Sequence, residues 1–108
     1  MIELALLQGT AFYRKRVEFD GSTFLLDLAW NARAGSWYLS LFDAAETPLV
    51  VGITVVPNRP LLKRFRATPG MPAGDLVAFD LTETITKPGY DELGPVVSLV
   101  YVEASEIA

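Results

Sequence analysis

From Phe24 to Phe42 apolar residues recur at every second position, and no other feature of the chain restricts its fold as strongly. Phe24, Leu26, Leu28 and Trp30 share one face of an extended segment, with Thr23, Leu25, Asp27 and Ala29 on the other. Trp37, Leu39 and Leu41 share a face of the next segment, with Tyr38, Ser40 and Phe42 opposite. A repeat of two marks a β-strand, because successive side chains of an extended backbone point to opposite sides. Both faces carry apolar bulk, which predicts that these strands are covered on both sides at least in part. The two tryptophans lie at the loop end of one expected hairpin, where opposed rings would add about 0.5–1.5 kcal/mol beyond area burial.

Turn signals continue the pattern. Asp20-Gly21 joins "YRKRVEF" to "TFLLDLAW" and is the strongest short hairpin signal in the chain. "NARAGS", containing Gly35, and "DAAET" make the next two connections. "PLVVGITVV" is rich in β-branched residues, with Pro48 at its start and Pro57 after its end, where a strand tolerates proline. The prediction is a four-strand meander between Phe12 and Val56, with further strands near Ile2–Leu7, Leu76–Thr82 and Val96–Glu103. One segment departs from it. Residues 57–75 carry Pro57, Pro60, Pro69 and Pro72 and read as a long loop, a type that is usually functional or mobile in a compact domain. The expected fold is therefore all-β, a single small barrel or sandwich of about six to seven mainly antiparallel strands with a long Pro-rich loop.

Composition narrows the chemistry. At 108 residues the chain is expected to form one domain, 1–108. With 51% hydrophobic and 20% charged residues it is globular and rather apolar, a surplus that suggests some surface is buried against a partner. There is no cysteine, which excludes disulfides and thiolate metal sites, and no histidine, the commonest general base and metal ligand. No apolar run approaches the ~18 residues of a membrane helix. The opening "MIELALLQGTAFYRKR" places its charges after the apolar stretch, unlike a secretory leader, so a soluble protein made inside the cell is expected. The net charge of −4 is uneven: basic residues cluster at Arg14, Lys15 and Arg16 and at Arg59, Lys63, Arg64 and Arg66, and acids dominate after residue 74. Such a dipolar chain suits electrostatically matched contacts better than general polyanion binding.

Candidate catalytic groups are few. None of the serines sits in a nucleophile-elbow motif, and no histidine could activate one. Asp91-Glu92 lies in a loop where solvated charge is the ordinary state, and it lacks the spaced oxygen ligands of a calcium site. "PGMPAGD" has prolines where a phosphate cradle needs amide donors. No catalytic residue, metal or cofactor is expected. "LLKRFR" mixes cations with Phe65 in the way that proteins holding single-stranded nucleic acid do, but the acidic total argues against that use. The plainer reading is a solvated basic loop with Phe65 tucked back on the core. Aromatic residues and arginine are enriched at interface centres, which brings Arg33 and Tyr38 into consideration beside Trp37.

The stretch from Val17 to about Leu62 resembles the small baseplate plug proteins of contractile-tailed phages. The resemblance rests on the "DG" turn, the alternating run into "WNARAGSWYLSLFD", the turn before "PLVVG" and the apolar strand ending near "PNRPLL". It implies a non-enzymatic structural component that plugs or locks the central hub. The implied partners are hub, spike and tube-initiator proteins, met by several copies in a symmetric assembly; from composition, no membrane is expected and nucleic acid is the disfavoured partner. It also implies a protein of the virion tail baseplate, assembled in the host bacterial cytoplasm. The expected interface residues are Arg33, Trp37, Tyr38, Arg59, Leu61, Leu62, Lys63, Arg64, Phe65 and Arg66. In this reading Leu61, Leu62 and Phe65 insert between neighbouring subunits while the cations pair with partner acids. The alternative is a small β-barrel module for single-stranded nucleic acid or a glycan, with Trp37, Tyr38 and Tyr90 as stacking platforms.

Overall fold

Asp20 and Gly21 turn the chain with positive φ at both residues, 51° and 81°. That is the geometry of a two-residue hairpin turn whose twist matches the flanking strands. Its register runs without a break along β2 (Phe12–Phe19) and β3 (Ser22–Asn31), from Phe19 opposite Ser22 to Phe12 opposite Ala29. β4 (Ser36–Asp43) pairs with β3 so that Trp30 lies opposite Trp37 and Leu26 opposite Leu41. Asp43 organises the next turn by accepting from the Ala45 and Thr47 amides, both at 2.9 Å. β5 (Pro48–Thr54) then pairs with β4, with register shifts along the pair and Gly52 at φ 78°. An extra residue on one strand bends and twists the ladder there.

The computed structural model describes residues 2–4, 6, 10–65, 68–80, 88–90, 92–93 and 96–103. Within them, β1 (Ile2–Glu3), β6 (Asp75–Phe79) and β7 (Ser98–Val102) make a second antiparallel sheet in the order β1-β7-β6. The first sheet has the order β2-β3-β4-β5. Two separate sheets make a sandwich, and of the two architectures that the alternation allowed, a closed barrel is not the one formed. The inner faces meet in one cluster that includes Leu26, Leu28, Leu39 and Leu41 from the first sheet and Leu76, Leu99 and Tyr101 from the second. Among the described residues no layer covers the outer face of the first sheet, where Leu25, Ala29, Tyr38 and Phe42 are half-buried by their neighbours.

The expected strands are present but shorter. Of the strand placed at Ile2–Leu7, Ile2 and Glu3 are regular and the Leu4 amide bonds the Leu99 carbonyl at 2.8 Å, while Ala5 and Leu7 fall outside the described residues. The end of the strand placed at Leu76–Thr82 falls outside the described residues. The long loop is less free than its prolines suggest. Its first part runs beside β6, with bridges from Pro57 to Ala78 and from Pro60 to Val77. The Asn58 amide donates to the Ala78 carbonyl at 2.6 Å and the Leu61 amide to the Leu76 carbonyl at 2.8 Å. A buried strand edge with unpaired amides and carbonyls is costly, and this segment supplies the missing partners of β6.

The two sheets are clasped at the hairpin tip. Tyr101, fully buried on β7, donates its hydroxyl proton to the Asp20 carboxylate and accepts from the Gly74 amide at 2.8 Å. Phe19 stacks on the Tyr101 ring with centroids 3.9 Å apart and planes 6° from parallel. Gly74 is required there, because a Cβ would collide with the Val102 carbonyl oxygen and the Tyr101 hydroxyl.

Candidate interaction surface

The residues expected at the interface divide into an inward and an outward set. Leu61 and Leu62 are 6% and 1% exposed and belong to the core. Phe65 closes a single 3-10 turn (Lys63–Phe65) and is half-buried against the same core. Leu61 and Leu62 therefore keep little apolar area for a neighbouring subunit, whereas Phe65 keeps part of its ring exposed. The cause is Asp75, buried at the start of β6, whose carboxylate accepts from the Leu62 and Leu76 amides, both at 2.8 Å. That pair of bonds draws the loop down onto the sheet and turns both leucines inward. Arg33, Arg59 and Lys63 remain exposed and Tyr38 half-exposed. The Arg64 side chain and Arg66 lie outside the described positions.

Trp37 also points inward, and it anchors an aromatic cluster. Trp30 and Trp37 pair across the strands with centroids 5.6 Å apart, as their opposed register requires. Tyr90, from a loop far along the chain, stacks on Trp37 at 5.8 Å with planes 8° apart. The Trp37 indole donates to the Gly89 carbonyl at 3.1 Å, which fixes that loop against the hairpin. A stacking platform needs an accessible ring face, and Trp37, 3% exposed and stacked on Tyr90, has none. The cluster serves the fold.

Arg59 and Lys63 frame an open groove of about 570 Å³. Val56 and Pro60 give it an apolar wall, with the nearly buried Ile53 and Leu61 behind them. Thr54 and Val56 line it from the end of β5, and Arg59 and Lys63 bring the only charges among its lining residues. Neither cation has an ion-pair partner among the described residues. Sequence reading found Arg59, Leu61 and Lys63 but not Ile53, Thr54, Val56 or Pro60. The groove forms where a strand of one sheet passes an edge of the other, and no local pattern reports that approach.

A second polar feature lies on the outer face of the first sheet. Arg14 grips the buried Asp27 with both ends of its fork, Nε to Oδ1 at 2.7 Å and Nη2 to Oδ2 at 3.1 Å. It also reaches Glu46 at 2.6 Å and lies 4.8 Å above the Phe42 ring centre. Hydrogen bonding to Asp27 raises the guanidinium pKa above its usual value. This pair was legible: counting outward from the Asp20-Gly21 turn places Arg14 opposite Asp27. It is structural, since both charges answer each other. Among the described residues no cluster of acidic side chains could hold a metal ion, and no helix is long and apolar enough to cross a membrane.

A protein-family model described as "Cyanophage baseplate Pam3 plug gp18" matches residues 1–104. The match extends well beyond the stretch from Val17 to Leu62 and takes in both sheets. No curated protein matches the chain.

Proposed function

The chain belongs to the cyanophage baseplate plug family, and from that membership we propose that it is a non-enzymatic structural part of a contractile-tail baseplate that plugs the central hub through protein–protein contacts. The single observation that carries this reading is the family match over residues 1–104. The hub, spike and tube-initiator proteins are its partners in this reading, and several copies are set around the tail axis by the symmetry of the hub. Assembly takes place in the host cytoplasm, and the finished protein resides in the virion tail.

The surface supports contact rather than catalysis. A groove edged by Arg59 and Lys63, with an apolar wall, offers both the area and the charge for a protein partner. Arg33 and Tyr38 extend the contact toward the β3–β4 turn. Trp37, Leu61, Leu62 and Phe65 act beneath this surface by holding it in shape. Cryo-electron microscopy of intact tails tests the proposal. The expected result is density for the two-sheet sandwich at the baseplate centre, in several symmetric copies. Purified tails that lack the protein, or carry it outside the baseplate, would overturn it.

A further inference from the structure

We propose that the groove beside β5 receives an extended, carboxylate-bearing segment of a neighbouring protein, which adds as a further strand to the β5 edge. β5 is the outermost strand of its sheet, so its side away from β4 has no neighbour in the ladder among the described residues. Backbone groups of an antiparallel strand point alternately toward and away from the partner. The Val55 amide bonds the Trp37 carbonyl at 2.9 Å, and Thr54 lies opposite Tyr38 in the same register. The amides and carbonyls of Thr54 and Val56 therefore turn away from β4. Both residues line the groove, so the open edge and the concavity are one feature.

The edges at β2 and β6 are guarded, and this end of β5 is not. The edge strand β2 carries Arg14, Lys15 and Arg16, and Lys15 sits on the core-facing side opposite Leu26, a placement that opposes pairing with another strand. The free edge of β6 is covered by the segment from Pro57 to Leu61. β5 itself is blunted at its start by Pro48 and in its middle by the irregular stretch at Gly52. Among the described residues, what remains open is the run from Ile53 to Val56, beside an apolar wall and two cations without an ion-pair partner. Strand addition draws affinity from main-chain hydrogen bonds and specificity from the flanking side chains. Here those side chains select a carboxylate.

A second copy of this chain pairing edge to edge does not fit. β5 contains no acidic residue, and two such edges would bring Arg59 and Lys63 of both copies together. That the neighbour is a baseplate protein rests on the function proposed above; the edge and its charge stand without it.

The test uses the purified chain and a seven-residue peptide alternating valine with glutamate, beside the same peptide with glutamine. The glutamate peptide is expected to bind, to shift and protect the Thr54 and Val56 amides in NMR, and to weaken as salt is raised. The glutamine peptide, and the double variant Arg59→Gln/Lys63→Gln, should each reduce affinity at least tenfold. Thr54→Pro removes an amide that faces the open edge and leaves the ladder to β4 intact, so it should abolish binding without lowering the melting temperature. Absence of binding, equal affinity for the two peptides, or binding by Thr54→Pro at the original affinity overturns the proposal. So does self-association in sedimentation that Thr54→Pro removes while the peptides fail to bind. A chain that binds the peptide but is missing from purified tails sinks the baseplate reading alone.

Discussion

Tyr101 shows how much of this fold can depend on one hydroxyl. It donates to Asp20 at the tip of one sheet and accepts from the Gly74 amide at the edge of the other. Tyr101→Phe keeps the ring on Phe19 but leaves the buried Gly74 amide without its acceptor. The expected loss is about 1–3 kcal/mol of stability, read from urea unfolding. The same residue sets a pH dependence. Burial, with the hydrogen bond to Asp20, pushes the Tyr101 phenol well above its ordinary value. The folded chain keeps this proton when the unfolded chain loses it. Its contribution is therefore complete below about pH 10 and declines above that, by up to ~1.4 kcal/mol per pH unit. Comparing wild type with Tyr101→Phe isolates the effect from the other tyrosines, and the variant should show the shallower alkaline decline.

At the scale of elements, the connection from β5 to β6 is where sequence reading and structure part company. Its prolines and cations describe a loop, and an exposed loop with leucines reads as an anchor for a partner. The structure spends Leu61 and Leu62 on the core, because Asp75 and the open side of β6 pull the backbone inward. Leu62→Ala should therefore cost about 2–5 kcal/mol in chemical denaturation, as a buried leucine does. Lys63→Ala, one residue on and exposed, should stay within about 0.5 kcal/mol. Equal effects would place Leu62 outside the core. An assembly defect in a Leu62 variant thus reports unfolding first, and docking is better probed through Arg59 and Lys63. The meander, by contrast, was legible in outline: the Asp20-Gly21 turn set Arg14 against Asp27, and the turn from Asn31 to Ser36 set Trp30 against Trp37.

At the scale of the whole molecule, the two sheets share one core and neither has another layer to bury its inner face. With β1 only two residues long, the second sheet is little more than the two-stranded pair β6–β7, which is marginal by itself. Unfolding should therefore be a single transition. Tryptophan fluorescence, reporting β3 and β4, and hydrogen exchange at Leu99 and Tyr101, reporting β7, are expected to give the same stability in the same denaturant series. Separate transitions would mean that the sheets fold independently. Sequence alone determined the strand periodicity, the hairpin register, the absence of cysteine and histidine chemistry, and the likeness to baseplate plugs. These follow from spacings within a few residues, or from composition, and survive any three-dimensional arrangement. Tertiary structure decided that the sheets stack without closing, that the loop leucines face inward, and that Thr54, Val56, Arg59 and Lys63 meet in one groove. Those outcomes depend on which buried backbone groups still lacked partners once the sheets had packed, and that is a property of contacts between residues far apart in the chain.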